Sequence, residues 1–405
     1  VVAPTAERPR ILWPHVLPDG QRFLYSWSGL QQTGGVVLVD DNGERDLLSA
    51  ARSQTQFVAP DLLLMVREAT LVAQRVDLAA ARLLGDSVPI GRVSYSSATG
   101  WGEFSASPGG MLAMRTHLDE SALTIVTRDG RAEREIGAPG WYNTVRAAPD
   151  GSALLFSRWR PEPGTFAVWR MRLDREAETQ LTASPVMETA EVWVPGMREM
   201  VLTSALDQVP NIVLRDLSSG QDRRLSRSRQ FQLANDVSPD RILVLQQRTP
   251  QGHFDLMQLP LDAPERVTPL MTTRFSEVNL RFSPDGRHVS FMSDESGRME
   301  VYVAPFPLTG IKTQVSSGGG SFGRWHPGGR ELYFLSAQQQ LMAVAVDQSG
   351  HPGTPKALFD TIGWADYDVL SGGTRFIANI AKSTATEQPL SILLNWPQLL
   401  QRSPR

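Results

Sequence analysis

The sequence predicts an all-β fold, a single β-propeller of four-stranded antiparallel blades. Three observations carry that expectation. A Pro-Asp-Gly turn, or a worn form of it, recurs near residues 18, 60, 108, 149, 195, 239, 284, 327 and 371, at steps of 41 to 48 residues. The residue two before each turn is always apolar: Val16, Val58, Ala106, Ala147, Trp193, Val237, Phe282, Trp325 and Val369. Helical periodicity is almost absent, the stretch Leu78 to Leu84 being the one tempting helix. A repeat of about 44 residues along the whole chain is the signature of a blade array.

Each blade can be justified element by element. The apolar residue before the turn ends an inward strand. The turn itself is a hairpin signal, because proline presets φ, Asp bonds back to the backbone and glycine accepts positive φ. A short apolar run follows, as in Leu154-Leu155-Phe156 and Leu332-Tyr333-Phe334-Leu335. Runs of this length, rich in β-branched and aromatic residues, read as strands. A third run comes next, as in Val36 to Val39, Phe166 to Trp169 and Val301 to Val303. A polar strand such as Asp222 to Leu225 closes the unit. Four strands per repeat make one propeller blade.

Nine repeats fill residues 1–405 as a single domain and leave nothing for a second. The count gives nine blades, or eight if the weak second repeat is not a full blade. The ninth repeat lacks a fourth strand after Trp396, so the ring is expected to close with residues around Pro9 to Trp13 or with the tail around Leu399 and Leu400.

Composition narrows the function. Hydrophobic content of 41% and charged content of 20% are those of a globular protein. The net charge of −3 gives no field toward nucleic acid or an anionic membrane. There are no cysteines, which excludes disulfides, thiolate metal sites and cysteine nucleophiles. No apolar run approaches the roughly 18 residues of a membrane span. The chain begins at Val1 without a basic-then-apolar leader, so any anchor is expected to lie outside it.

Residues 281–307, beginning Arg-Phe-Ser-Pro-Asp-Gly-Arg and ending Val-Tyr-Val-Ala-Pro-Phe-Pro, resemble the WD40-like repeats of the TolB type. The segments that follow carry the resemblance further. They are Gln314 to Gly320, Arg324-Trp325, Gly329 to Phe334, Leu341 to Val344, Gly353 to Pro355, Leu358-Phe359 and Leu394-Asn395-Trp396. In this order they resemble the extracytoplasmic propeller of bacterial receptor-type serine/threonine kinases. The resemblance implies a scaffold and supplies no catalytic residues. The kinase's own glycine-rich loop, His-Arg-Asp and Asp-Phe-Gly motifs are missing from this sequence.

Candidate chemistry was weighed against plainer readings. Gly319-Gly320-Ser321-Phe322-Gly323 matches the pattern of serine hydrolases, but that motif needs a strand before it and a helix after it. Here it joins two blades. The histidines, His15, His117, His253, His288, His326 and His351, form no close pair, and no Asp-rich calcium loop is present, so neither a metal nor a cofactor is expected. Asp119-Glu120 reads as a solvated turn. Arg223, Arg224, Arg227 and Arg229 lie on and after an outermost strand, where charge blocks edge pairing.

Tryptophan placement is the surface clue. Trp101, Trp141 and Trp364 fall in loops entering an innermost strand, with Tyr142 beside Trp141. Trp159, flanked by Arg158 and Arg160, falls between second and third strands. Both loop classes open on the side opposite the Pro-Asp-Gly turns, and aromatic residues with arginine dominate binding hot spots. The plainer reading folds these tryptophans down between blades.

The expectation is therefore a non-catalytic recognition propeller in the periplasm, tethered or docked at the membrane. It would bind a protein partner or a membrane protein complex, and no nucleic acid. Within that expectation it is the sensor part of a receptor kinase or an accessory subunit docked on a membrane complex. A third reading is the propeller of a prolyl-oligopeptidase-like peptidase without its hydrolase domain.

Overall fold

The computed structural model describes residues 5, 8, 10–28, 34–49, 53–67, 70–96, 101–115, 120–160, 165–206, 209–382 and 390–401. His117 and Asp119, named above, and Pro9 lie outside the described residues. Among those described, the chain is strand throughout, with one 3-10 turn at Trp396–Gln401. The strands form antiparallel sheets of three or four, together with a ribbon of Tyr95–Ser96 and Trp101–Gly102. The tempting helix at Leu78 is a turn instead. Asp77 accepts the Ala80 N–H at 3.0 Å, Ala81 has φ +49°, and a strand runs on from Arg82.

The contacts divide the chain into two compact units, Asp119–Thr384 and a second made of Val1–Leu118 with Ala385–Arg405. Sequence reasoning placed all nine repeats in one 1–405 ring. The structure groups them as six and three, and strand pairing is the reason.

In Asp119–Thr384, five sheets each take four consecutive strands, the first being Tyr142–Ala147, Ala153–Arg160, Thr165–Arg172 and Ala177–Gln180. The sixth draws its inner pair, Trp364–Val369 and Arg375–Ala381, from the end of the unit. Its outer pair, Ser121–Thr127 and Ala132–Gly140, comes from the beginning. Ser121 to Thr127 pairs without a break against Ala381 to Arg375. The innermost strands touch in succession, and Trp364–Val369 returns to Tyr142–Ala147, so the six sheets close a propeller ring. Expected closure by Pro9–Trp13 or by the tail is thus replaced by closure through Ser121–Gly140.

Apolar faces meet between neighbouring blades. Leu123, Ile125 and Ile377 of the closing blade pack on Val145, Leu154 and Phe156 of the next. A fully buried side chain of this size contributes about 1.5–3 kcal/mol. The aligned apolar positions are buried in five of the six ring blades, with Ala147 half-buried.

The other unit holds the sheets beginning at Arg10 and Thr55, and a three-stranded sheet of Phe104–Ala106, Met111–Arg115 and Leu390–Leu394. Trp396 is buried with Leu64, Leu71 and Leu112 in its core, and Leu400 packs against them. Here the repeat's rule of an inward apolar strand end fails once, since Val16 is 64% exposed.

Candidate functional site

The loop-side residues singled out from sequence sit at different places. Trp141, Trp159 and Phe166 form one aromatic cluster, with ring centroids 5.0, 5.4 and 5.3 Å apart. Trp159 belongs to the strand Ala153–Arg160, paired with Phe166, and not to a loop as the sequence suggested. Its backbone N–H donates to the Trp141 carbonyl at 2.8 Å. Tyr142 is buried, and its hydroxyl donates to the Ala138 carbonyl at 2.5 Å. Arg158 stacks 4.3 Å from the Trp169 ring and pairs with Glu178 at 2.9 Å, so its charge is already spent. Arg160 donates to the Ser184 carbonyl. Trp364 lies against Phe359 and Tyr367, at 5.8 and 5.7 Å, in the closing blade. Trp101 belongs to the other unit, where it packs 4.7 Å from Trp13.

The serine-hydrolase pattern has no elbow. Ser321 lies within the strand Gly320–Trp325, paired with Leu335, and no helix follows. His326 Nδ1 accepts the Gly328 N–H at 2.8 Å, an ordinary turn contact. Among the described residues no group of three or more acidic or histidine side chains could hold a metal ion.

The densest chemistry lies on the innermost strands of the 119–384 ring, and sequence reasoning passed it by. One residue upstream of the aligned apolar positions stand Arg146, Val192, Asp236, Arg281, Arg324 and Asp368. Five of the six are ionisable. The same column in the other unit reads His15, Phe57 and Ser105.

Each of these six strands carries a bulge-like register shift against the second strand of its blade. A bulge bends a strand and re-aims its side chains. The result is a buried polar ring. Asp366 accepts from Arg146 at 2.7 Å and from Arg324 at 2.8 Å, and also takes the Val145 N–H at 3.1 Å. Burial alone would raise Asp366, but Arg146 and Arg324 outweigh it and hold the carboxyl below its usual range. Arg324 further donates to the Tyr367 carbonyl at 3.0 Å and to Asn279 Oδ1 at 3.3 Å.

Glu191 is fully buried and accepts the Thr144 hydroxyl at 2.7 Å. Burial pushes it up to about 7 against the pull of Arg146 and Thr144. Burial likewise raises Asp236. Arg281 is pushed down to about 9 by burial, with Arg146 and Arg324 adding repulsion.

The same ring ties blade to blade. Trp193 Nε1 donates to the Arg146 carbonyl at 3.3 Å, and Trp325 Nε1 to the Arg281 carbonyl at 3.2 Å. Asp236 accepts the Phe282 N–H and Asp368 the Ala147 N–H, both at 2.9 Å. Two side-chain types at neighbouring positions thus solve one problem, satisfying backbone groups that the inner strands leave unpaired.

No protein-family model and no curated protein matches the chain. Solved structures do. A putative TolB from Agrobacterium tumefaciens is 17% identical, with a TM-score of 0.55 over 65% of this chain and 99% of that one. TolB from Acinetobacter baumannii is 14% identical, with a TM-score of 0.47 over 83% and 80%. The Cps50 (Swd1) β-propeller domain of Myceliophteria thermophila is 14% identical, with a TM-score of 0.43 over 65% and 86%. At these identities the likeness concerns fold alone, and the chain carries a β-propeller similar in fold to that of the putative TolB.

Proposed function

We propose that the chain is a non-catalytic recognition propeller acting outside the cytoplasm, in the periplasm. It engages a protein partner through the loop side of the 119–384 ring. The propeller fold suits a protein-interaction scaffold, being rigid, closed and rimmed by loops. The single observation behind the chosen side is the Trp141–Trp159–Phe166 cluster, with Arg160 at its edge. It gathers the residue types that dominate hot spots into a half-buried patch that needs little reordering to bind.

Two settings fit this role. One is the sensor part of a receptor kinase; the other is an accessory subunit docked on a membrane protein complex. No helix among the described residues is long and apolar enough to cross a membrane, so either setting makes membrane attachment the work of a partner or of another segment. Stoichiometric co-purification with membrane proteins separates the second setting from the first.

The experiment is cross-linking of the tagged protein in envelope preparations, followed by the Trp141→Ala and Trp159→Ala variants. Loss of the cross-linked partner by at least about tenfold is expected, the size of one hot-spot side chain. Undiminished capture by both variants sinks the assignment of this side. The peptidase reading would return only if a peptidyl ester were hydrolysed in a manner abolished by Ser321→Ala.

A further inference from the structure

We propose that the axis of the 119–384 ring is an oxyanion site, in which Arg281, together with Arg146 and Arg324, takes one carboxylate or phosphate group. In the order of the ring, the strand Glu277–Phe282 stands three places from Tyr142–Ala147 and next to Gly320–Trp325. Arg281 and Arg146 therefore approach the axis from opposite sides, and Arg324 lies between them. All three occupy the same register, one residue before the aligned apolar position.

Their counter-charges are unevenly shared. Asp366 serves both Arg146 and Arg324. Arg281 is 8% exposed and, among the described residues, has no carboxylate within ion-pair distance. It donates to the Asn235 carbonyl, and its Nε has no partner; the Nε of Arg146 has none either. Asp236 and Asp368 attract Arg281 electrostatically without contacting it, and each Asp236 oxygen already accepts one N–H, from Val237 and from Phe282. A buried guanidinium without a contacting anion is strongly unfavourable, and two further guanidiniums nearby make it more so.

A purely structural role does not account for this. Arg281 and Arg324 do bond a neighbouring blade, at the Asn235 and Tyr367 carbonyls, but Asp236 and Asp368 at the same register and Trp193 and Trp325 one position on do this without adding like charge to the axis. An oxyanion does account for it. Its several acceptor oxygens match donors that converge from different strands, and hydrogen bonds between ionised groups are about twice as strong as neutral ones. Solvent touches this level on one side only: the side chains of Arg146 and Asp368 keep 11% and 19% of their surface, against 3% for Arg324 at the same register and 4% for Asp366. The oxyanion has two possible sources, a free small anion or an acidic side chain of a bound protein.

The test is thermal unfolding of the full chain at fixed ionic strength. Sodium chloride is exchanged for phosphate, for citrate, or for a short glutamate-rich peptide. A saturable rise in Tm is expected in the wild type and is abolished in Arg281→Met, while Arg266→Met, an exposed arginine, behaves as wild type. Without anion, Arg281→Met melts at or above the wild-type temperature, because it removes an uncompensated charge. A rise with phosphate or citrate identifies a free anion; a rise with the peptide alone identifies a protein source. The proposal is overturned if none of the three gives a saturable shift, if Arg281→Met shifts equally, or if that variant folds but melts several degrees low. Should Arg281→Met not fold, 31P line broadening of millimolar phosphate on the wild type, relieved by citrate, decides. No broadening, together with no shift from the peptide, rejects the site.

Discussion

Asp366 holds two guanidiniums with one carboxylate, and its own side chain and that of Arg324 are almost wholly out of water. Removing one member of a buried ionic group leaves the others uncompensated and costs about 3–5 kcal/mol. Asp366→Ala is therefore expected to lower unfolding free energy by that amount in urea titration; a loss under about 1 kcal/mol would mean the network does not hold the ring. Glu191 behaves oppositely. Its folded pKa is raised above the unfolded value, so the stability it contributes is fully present below about 4.5 and is lost as pH rises through about 7. The groups facing it are Thr144, Arg146 and Asp366. Glu191→Gln keeps the acceptor for Thr144 and removes the titration. Its stability relative to wild type is expected to climb across that window, and parallel pH profiles for the two proteins would refute the assignment.

At the scale of strands and turns, the repeating loop does more than reverse the chain. Gly286 has φ +71°, and a Cβ there would stand 2.9 Å from Cδ of Pro239, the proline of the preceding blade's turn. Gly196 has φ +90° with nothing near it. Alanine at 196 should cost only the left-handed backbone, about 1–2 kcal/mol; alanine at 286 should cost measurably more. Equal losses in denaturant unfolding would show that the turns do not pack on one another. The strands and turns were legible from the aligned apolar positions, because a buried strand end tolerates little else, with Val16 the exposed exception. The polar ring was equally legible, one column upstream, but the apolar column drew attention to packing and away from charge. Trp159 was misplaced because its strand runs on past the apolar residues into Arg158-Trp159-Arg160. The exchange of strands was not legible. Arg115 to Ser121 is an ordinary connection length, and only pairing with Arg375–Ala381, far along the chain, reveals that a sheet changes there.

For the molecule as a whole, every described strand of residues 119–384 pairs with another strand of the same stretch. A fragment spanning 119–384 is expected to fold alone, unfolding in one cooperative transition and keeping the near-ultraviolet signal of its packed aromatics. A chain ending at 389 should retain that transition while losing order in the other unit, which gives up Leu390–Leu394 and the buried Trp396. If such a chain lost the ring transition instead, the division into two units would not describe its stability.

The strand Leu390–Leu394 belongs to a sheet whose other members, Phe104–Ala106 and Met111–Arg115, are made nearly three hundred residues earlier. During synthesis at about 5–20 residues per second, those earlier strands wait on the order of tens of seconds for their partner. The ring, by contrast, has its last strand as soon as residue 381 emerges from the ribosome. The unit that starts first is thus finished last.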